Sequence, residues 1–263
     1  MAKITSIKEI SNDIFDMILL APEIASEAKA GQFVNVYLKD ASRLLPRPIS
    51  ICGFDSAEGT VRLVFRIAGE GTRELSKMRE GEEIKVLGPL GNGFLPVNEK
   101  KALLFGGGIG IPPMLGLAKQ LSEKGINVTS VLGYRDASLF LAEEFKTYGD
   151  LIIATDDGSC GFHGNVVEAA KSRVESSYAT DKLDPTDTCL YACGPLPMLK
   201  GLKAFANEKG FNAQISMEER MACGIGACLA CVCKTAEVDG HSNVKNKRIC
   251  KDGPVFFANE IDI

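Results

Sequence analysis

The first ninety residues alternate apolar and polar positions in short runs that are separated by turns. Six such runs predict strands, over 3–10, 14–20, 32–38, 48–53, 60–67 and 83–87. Turns such as Glu58-Gly59 and Glu80-Gly81 end the runs, and no long stretch keeps a helical period. Short strands at this spacing predict a small antiparallel β-barrel.

From about residue 98 the pattern changes to short buried strands that alternate with helices. The predicted strands cover 102–105, 127–134, 151–155, 188–192 and 213–216, and the predicted helices cover 112–124, 139–148, 165–176 and 197–209. This alternation predicts a parallel sheet with helices on both faces. A sheet of this kind binds ligands at the carboxyl ends of its strands.

The residues from about 217 onward hold too little apolar mass for a core of their own, so we expect a metal centre to organise them. The glycine- and proline-rich segment 88–96 marks the earlier boundary. The predicted architecture is therefore a β-barrel plus an α/β unit and a small third unit, with domains at 1–97, 98–216 and 217–263.

Composition limits the classes of function. The chain has 263 residues, 45% of them hydrophobic and 24% charged, with a net charge of -4. These values are typical of a globular protein of two or three modules and give no support to nucleic-acid binding. No apolar run approaches the roughly 20 residues of a membrane helix, so we expect no membrane contact and a cytoplasmic location.

Five of the nine cysteines lie between Cys223 and Cys250, which indicates metal or iron–sulfur ligation, because disulfides are rare in a reducing cytosol. Cys223, Cys228 and Cys231 form C-x₄-C-x₂-C, the spacing of plant-type [2Fe–2S] proteins, and Cys250 follows as a fourth cysteine. A four-cysteine zinc site is the alternative, although zinc ligands usually come as two separate C-x₂₋₄-C pairs.

The same segment holds two further candidate ligands. Cys233 is an additional thiol, and His241 is an alternative to one of the thiolates.

A glycine loop that includes Gly107, Gly108 and Gly110 follows the first strand of the predicted sheet and precedes a helix. Backbone N–H groups and the helix dipole at such a place can hold a phosphate or another part of a nucleotide. The loop does not match G-x-G-x-x-G, because Ile111 stands where the third glycine would be. The alternative is a tight turn with prolines in the first helical turn.

Other candidates follow later strands of the same sheet. Asp156 and Asp157 either bind ribose hydroxyls or cap a loop. Cys193, followed by Gly194, either faces a bound nicotinamide or is an ordinary buried thiol.

In the barrel half, Arg47 begins the run Arg47-Pro48-Ile49-Ser50. An arginine there can pair with a pyrophosphate, and a nearby hydroxyl can donate a hydrogen bond to a flavin ring nitrogen. The alternative is a surface arginine that precedes a proline at the start of a strand. Arg66, Gly71 and Thr72 either add phosphate contacts or belong to a glycine-rich hairpin.

These motifs occur together and in one order, as RPIS, GEGT, GPLGNGF, GGGIGIPP, ATDDGS, YACGPLPML and MEERMACGIGACLAC. From about residue 3 to residue 260 the chain resembles the electron-transfer subunits of bacterial NAD-dependent dihydroorotate dehydrogenase, within the ferredoxin-reductase superfamily. The N-terminal motifs are shared across that superfamily. The cysteine segment with its closing Cys250-Lys251-Asp252-Gly253-Pro254 is more specific.

The resemblance implies an antiparallel flavin-binding barrel, a parallel-sheet nicotinamide-binding domain and a small iron–sulfur domain. The implied FAD contacts are Arg47, Pro48, Ile49, Ser50, Val64, Phe65, Arg66, Gly71 and Thr72. The implied NAD(H) contacts are Gly107, Gly108, Gly110, Asp156, Asp157, Cys193 and Gly194. The implied cluster ligands are Cys223, Cys228, Cys231 and Cys250, and the catalytic residues are Ser50 and Cys193. Ile49 departs from the superfamily, which usually has tyrosine there.

The implied function is a relay in pyrimidine biosynthesis. A partner subunit with FMN oxidises dihydroorotate, and this chain passes the electrons through [2Fe–2S] and FAD to NAD⁺, in a heterotetramer of two copies of each subunit. One alternative is the small subunit of an NADH-dependent ferredoxin:NADP⁺ oxidoreductase or of a sulfide dehydrogenase. A second, from another class, is a zinc-stabilised binding module without redox chemistry.

Overall fold

A computed structural model describes residues 1–40, 42–175, 183–238 and 243–263. The N-terminal part is a closed antiparallel barrel with strand order β1-β2-β5-β4-β3-β6. Its strands are β1 (Ala2–Ser11), β2 (Ile14–Leu20), β3 (Phe33–Tyr37), β4 (Arg47–Asp55), β5 (Thr60–Arg66) and β6 (Glu83–Leu90). All six predicted strands are confirmed, because alternate apolar side chains fill one shared interior.

Two short helices in the barrel part were not predicted from the sequence. They are α1 (Pro22–Glu27) and α2 (Glu70–Leu75), each too short to show a helical period. The hairpin considered for the second segment is wrong. There the hydroxyl of Thr72 accepts hydrogen bonds from the N–H groups of Ala68 and Gly69, at 2.8 and 3.2 Å, which starts a helical turn.

The second part is a seven-stranded sheet with order β10-β9-β8-β7-β11-β12-β15. The remaining elements, in chain order, are β7 (Lys101–Gly107), α3 (Ile111–Glu123), β8 (Asn127–Tyr134), α4 (Ala142–Phe145), β9 (Asp150–Thr155), β10 (Phe162–His163), α5 (Val166–Glu175), β11 (Thr188–Cys193), α6 (Leu196–Lys209), β12 (Asn212–Ser216), β13 (Val232–Lys234), β14 (Asn246–Arg248), α7 (Ile249–Asp252) and β15 (Val255–Phe257). The strands β7 to β12 pair in parallel, as predicted.

Helices cover both faces of this sheet, which confirms the predicted α/β arrangement. Apolar side chains of α3 and α4, including Leu117 and Phe145, pack on one face. Side chains of α5 and α6, including Val166 and Leu199, pack on the other. The predicted helix over 139–148 is wrong in extent, because Leu141 has a φ of 63°, which interrupts the helical backbone immediately before α4.

The cysteine segment lies between β12 and β15. The strand β15 pairs antiparallel with β12, so the sheet is not wholly parallel. Within the segment β13 and β14 form a two-stranded sheet. Apolar side chains of α7 and β15, including Ile249 and Phe256, pack in one cluster with Phe33 of the barrel. The segment therefore obtains its core by packing on its neighbours, in addition to whatever a metal centre contributes.

No helix within the described residues is both long and apolar enough to span a membrane.

Candidate functional site

A cavity of about 750 Å³ lies where the barrel, the carboxyl end of β11 and the chain after β12 meet. Arg47 and Pro48 line it from the barrel, Gly194 lines it from the end of β11, and Glu218 and Arg220 line it from the third side. The structure therefore brings the Arg47 motif and the Cys193-Gly194 turn to one place, although about 145 residues separate them in the sequence.

Arg47 is held at the edge of this cavity. Its Nη1 donates to the carbonyl oxygens of Leu45 at 2.7 Å and Pro46 at 3.4 Å. A Cβ at Gly71 would overlap the guanidinium, so a larger residue there would displace Arg47 from this position. The result is a fixed cation beside a helix start, which suits a phosphate group.

The other predicted flavin residues fall into two groups. Ile49, Val64 and Phe65 have buried side chains, so only their backbone atoms can reach a ligand. Ser50 is half-buried and pairs with Phe33 across the β3–β4 ladder. Arg66 is exposed at the end of β5 and lines a second cleft instead.

The second cleft, of about 520 Å³, opens at the carboxyl ends of β7, β8 and β9. Gly107, Gly108 and Asp156, three of the predicted nucleotide residues, line it, and Arg135 and Asp136 lie beside them. Pro195 lines both cavities, so ligands in the two would meet at the end of β11. Asp136 was not predicted as a site residue, although its position two residues after the end of β8 could have indicated it.

Four predicted nucleotide residues lie outside this lining, namely Gly110, Asp157, Cys193 and Gly194, of which Gly194 lines the first cavity instead. The backbone of Gly110 packs against the carbonyl group of Cys193. The carboxylate of Asp157 accepts a hydrogen bond from the N–H of Ser159 at 2.9 Å. Hydrogen bonds from the Ser159 side chain and backbone hold the pKa of Asp157 below its usual range. For Asp157 the structure therefore favours the loop-capping interpretation.

Cys193 ends β11 opposite Ser216 of β12. Burial raises the pKa of its thiol to about 12; a hydrogen bond with Ser216 opposes the rise and the charge of Glu218 adds to it. The thiol is therefore neutral at pH 7. The backbone after Cys193, at Gly194 and Pro195, lines the cavity, and the thiol itself is buried directly behind that lining.

The four predicted cluster cysteines lie together and in two pairs. The N–H of Cys228 donates to Sγ of Cys223, and the N–H of Cys250 donates to Sγ of Cys231, each at 3.4 Å. Within the residues that the structure describes, no three His, Cys, Asp or Glu side chains converge as they would on a single metal ion. Two pairs of thiols match the number of thiolates that a [2Fe–2S] cluster requires.

Backbone N–H groups point at these sulfurs. The N–H of Gly226 donates to Sγ of Cys250 at 3.1 Å, and the N–H of Cys250 donates to Sγ of Cys231 at 3.4 Å. Burial opposes ionisation of Cys223, but N–H groups that include that of Cys228 outweigh it and lower its pKa to about 6. Donors of this kind stabilise cluster-bound sulfur, so the residues present fit an iron–sulfur cluster.

Of the two alternative ligands, the structure describes Cys233 only. The thiol of Cys233 donates to the carbonyl oxygen of Lys247 at 3.5 Å, across the β13–β14 pair. His241 lies outside the described residues.

Arg248 supports the cysteine loop and was missed from the sequence. Its guanidinium donates to both carboxylate oxygens of Asp252, at 2.9 and 3.0 Å, and Nη1 reaches the carbonyl oxygen of Gly226 at 3.3 Å. The i,i+4 spacing of Arg248 and Asp252 was an available signal for their ion pair, whereas the contact with Gly226 is made across the folded loop and has none.

Comparison with known proteins agrees with this geometry. Residues 218–262 match the model of the iron–sulfur cluster binding domain of dihydroorotate dehydrogenase B, and residues 1–94 match the oxidoreductase FAD-binding domain. A protein of Bacillus velezensis is 43% identical over 264 residues, which cover 98% of this chain and 96% of the relative. A protein of Fusobacterium nucleatum is 40% identical over 261 residues, which cover 97% and 95%. Both are named dihydroorotate dehydrogenase B (NAD(+)), electron transfer subunit.

Solved structures with the same fold include a chain of the NADH-dependent reduced ferredoxin-NADP oxidoreductase. It is 33% identical with a TM-score of 0.87, and the match covers 100% of this chain and 90% of that one. A ferredoxin NADP⁺ reductase from Neisseria gonorrhoeae is 19% identical with a TM-score of 0.68, covering 84% and 94%.

Proposed function

Because the chain belongs to the family of electron-transfer subunits of NAD⁺-dependent dihydroorotate dehydrogenase B, we propose that it carries electrons between a catalytic partner subunit and NAD⁺. The observation that carries this proposal is the full-length match to these subunits, whose iron–sulfur domain falls on the segment with the two pairs of cysteines. The chain is an oxidoreductase subunit with an FAD-binding barrel and an iron–sulfur domain.

Three groups share the chemistry when bound: nicotinamide carries a hydride, flavin exchanges a hydride or single electrons, and the cluster carries single electrons. The proposed cluster ligands are Cys223, Cys228, Cys231 and Cys250. Their support is the pairing of the thiols and the N–H groups that point at the sulfurs.

The proposed FAD site is the 750 Å³ cavity with its barrel rim. Its residues are Arg47, Pro48, Ile49, Ser50, Val64, Phe65, Gly71 and Thr72. Arg66 lines the adjoining 520 Å³ cleft and would contact FAD from that side. Arg47 pairs with the pyrophosphate, and Ser50 bonds a flavin ring nitrogen. Ile49 contributes its backbone only, because its side chain is buried in the barrel core.

The proposed NAD(H) site is the 520 Å³ cleft and its junction with the first cavity. Its residues are Gly107, Gly108, Gly110, Asp156, Asp157, Cys193 and Gly194. Asp156 bonds a ribose hydroxyl, Gly110 and Asp157 support the walls, and the neutral thiol of Cys193 packs beside the nicotinamide.

We further propose that the partner subunit carries FMN, oxidises dihydroorotate and assembles with this chain as a heterotetramer of two copies each. The nine cysteines include no disulfide among those described, which suits work in the cytoplasm. We also propose the three domains at 1–97, 98–216 and 217–263.

The test is reconstitution. The purified chain is expected to show flavin and iron–sulfur absorbance bands and to reduce a dye with NADH. When mixed with an FMN-containing dihydroorotate dehydrogenase subunit from the same genome, it is expected to couple dihydroorotate oxidation to NAD⁺ reduction. A colourless protein would contradict the relay and favour a zinc-stabilised module.

A second candidate is the small subunit of an NADH-dependent ferredoxin:NADP⁺ oxidoreductase, favoured by the TM-score of 0.87 to a chain of such an enzyme. Copurification with a large subunit that reduces NADP⁺ with ferredoxin and NADH, and no activity with dihydroorotate, would establish this candidate instead.

A further inference from the structure

Asn35 in the middle of β3 is a fully buried polar residue, with 0% of its surface exposed. Its neighbours Val34 and Val36 belong to the barrel core, whereas Phe33 packs with Cys231 and other residues of the cysteine segment. Since side chains alternate along a strand, Asn35 shares the face of Phe33 and is directed towards that segment.

The Asn35 amide bonds the backbone of a proposed cluster ligand. Its Nδ2 donates to the carbonyl oxygen of Cys223 at 3.1 Å, a bond between residues 188 positions apart. A carbonyl oxygen only accepts, so the amide nitrogen must face it. Gly224 has a φ of +69°, and a Cβ there would overlap the Asn35 amide. The loop therefore approaches the barrel as closely as a glycine permits.

Packing alone does not account for an amide at this position. Among the described residues, none donates a hydrogen bond to the buried Oδ1 of Asn35. Burying an amide oxygen without a donor is unfavourable. Leucine has a similar volume and would fill the same space without that cost. What leucine lacks is the bond to Cys223.

On its other side Asn35 adjoins the larger cavity. It pairs with Pro48 in the β3–β4 ladder, and Pro48 lines the cavity next to Arg47. Residues that are directly opposite in such a ladder have Cβ atoms about 4.5–5.5 Å apart. Asn35 therefore lies on the strand next to the one that lines the proposed flavin cavity, and it is hydrogen-bonded directly to the cysteine loop.

We propose that Asn35 is a positioning residue that fixes the Cys223 side of the cysteine loop relative to the flavin cavity, and so sets the rate of electron transfer between them. This inference rests on the proposed function. When bound, the flavin would accept a hydride from NADH and would pass its electrons singly to a cluster held by the cysteine loop, with the proton released to solvent. The transfer rate falls steeply with separation, so a small displacement of the loop is measurable.

The experiment uses the full chain loaded with FAD and iron. Asn35→Leu removes the donor at similar volume, and Asn35→Asp keeps the shape but replaces the NH₂ group with oxygen. Asn92→Ala is the matched control. In the parent, Nδ2 of Asn92 donates to the carbonyl oxygen of Asp252 at 3.0 Å, and Oδ1 accepts from the N–H of Val255 at 3.2 Å. Asn92 therefore also joins the barrel side to this part of the chain, but at residues that follow the last cysteine. The measurements are FAD and iron content, NADH-to-dye turnover, the EPR spectrum and potential of the reduced cluster, and the rate of cluster reduction after rapid mixing with NADH.

Both Asn35 variants are expected to keep FAD, iron and dye turnover within twofold of the parent, to shift the EPR spectrum and to slow cluster reduction at least tenfold. Asn92→Ala is expected to leave that rate unchanged. Rates within twofold of the parent in both Asn35 variants would overturn the proposal. An equal slowing of cluster reduction in Asn92→Ala would also overturn the proposal. Loss of iron from both Asn35 variants would overturn it too, because the amide would then be required for binding the cluster. Failure of the parent to reduce the dye would instead contradict the proposed function.

Discussion

The guanidinium of Arg62 donates hydrogen bonds to both oxygens of the buried carboxylate of Asp16, each at 2.9 Å. This pair lies on adjacent barrel strands, β5 and β2. The same guanidinium also donates to the carboxylate of Glu144 in α4, at 2.6 and 2.9 Å. One arginine thus joins the barrel to the α/β unit.

We expect Arg62→Met to destabilise the protein by about 3 kcal/mol, because it leaves the charge of Asp16 buried and poorly compensated. Lys8 remains 3.9 Å from Asp16 but is largely exposed and replaces little of the interaction. The measurement is urea unfolding with FAD bound. A loss below about 1 kcal/mol would show that Asp16 is compensated in another way.

Glu144→Gln is the control for that experiment and is expected to cost no more than about 1 kcal/mol, because the Glu144 side chain is 47% exposed. Hydrogen bonds from Arg62 lower the pKa of Glu144. The stabilisation by this pair is therefore complete above the unfolded pKa of about 4.3 and is lost as the pH falls through the lower folded value. Parent and variant are expected to converge in stability only once the pH is below the lowered folded pKa of Glu144.

Arg47→Ala is expected to weaken FAD binding, because it removes a charge-assisted phosphate contact of about 1.5–3 kcal/mol, or roughly 10- to 100-fold in Kd. FAD is expected to dissociate on gel filtration while the iron content stays constant. Equal FAD occupancy in variant and parent would show that Arg47 is not a ligand.

Serine variants of the cysteines are expected to separate the four proposed ligands from Cys233. Serine at Cys223, Cys228, Cys231 or Cys250 is expected to abolish the EPR signal of the reduced cluster but to leave NADH-to-dye turnover largely intact. Cys233→Ser is expected to keep the signal, since its thiol already bonds Lys247. If Cys233→Ser loses the signal and Cys250→Ser keeps it, the ligand assignment is wrong.

The chain is expected to prefer NADH to NADPH, because the carboxylate of Asp156 in the cleft repels a 2′-phosphate. Arg135 is the residue that opposes this preference. Asp156→Ser is expected to lower the ratio of the KM for NADPH to the KM for NADH by about tenfold, which corresponds to about 1.4 kcal/mol. Asp157→Ser, at a carboxylate that bonds Ser159, is expected to leave the ratio unchanged. A lower KM for NADPH in the parent would reject this preference.

Periodicity was enough to predict the barrel strands and the parallel sheet, because alternating and buried runs report directly on which face is in the core. The cysteine spacing was equally informative, since C-x₄-C-x₂-C brings three thiols together within one loop. The short helices α1 and α2 were missed because a single turn has no period to detect.

The supporting residues of the site were not predictable in the same way. Asn35 and Arg248 act through single hydrogen bonds to carbonyl oxygens of Cys223 and Gly226. Such bonds depend on the folded backbone and leave no pattern in the sequence. Arg66 was expected with the flavin residues, but the turn at the end of β5 directs it into the nucleotide cleft.

The path of the cysteine segment decides how the protein can carry electrons. The segment leaves the sheet at the end of β12 and returns to the neighbouring position as β15, so both of its ends are fixed in one rigid framework. A redox centre between two anchored ends has a much shorter reach than one on a freely tethered domain. We therefore expect the acceptor to dock at this segment rather than to be reached by it.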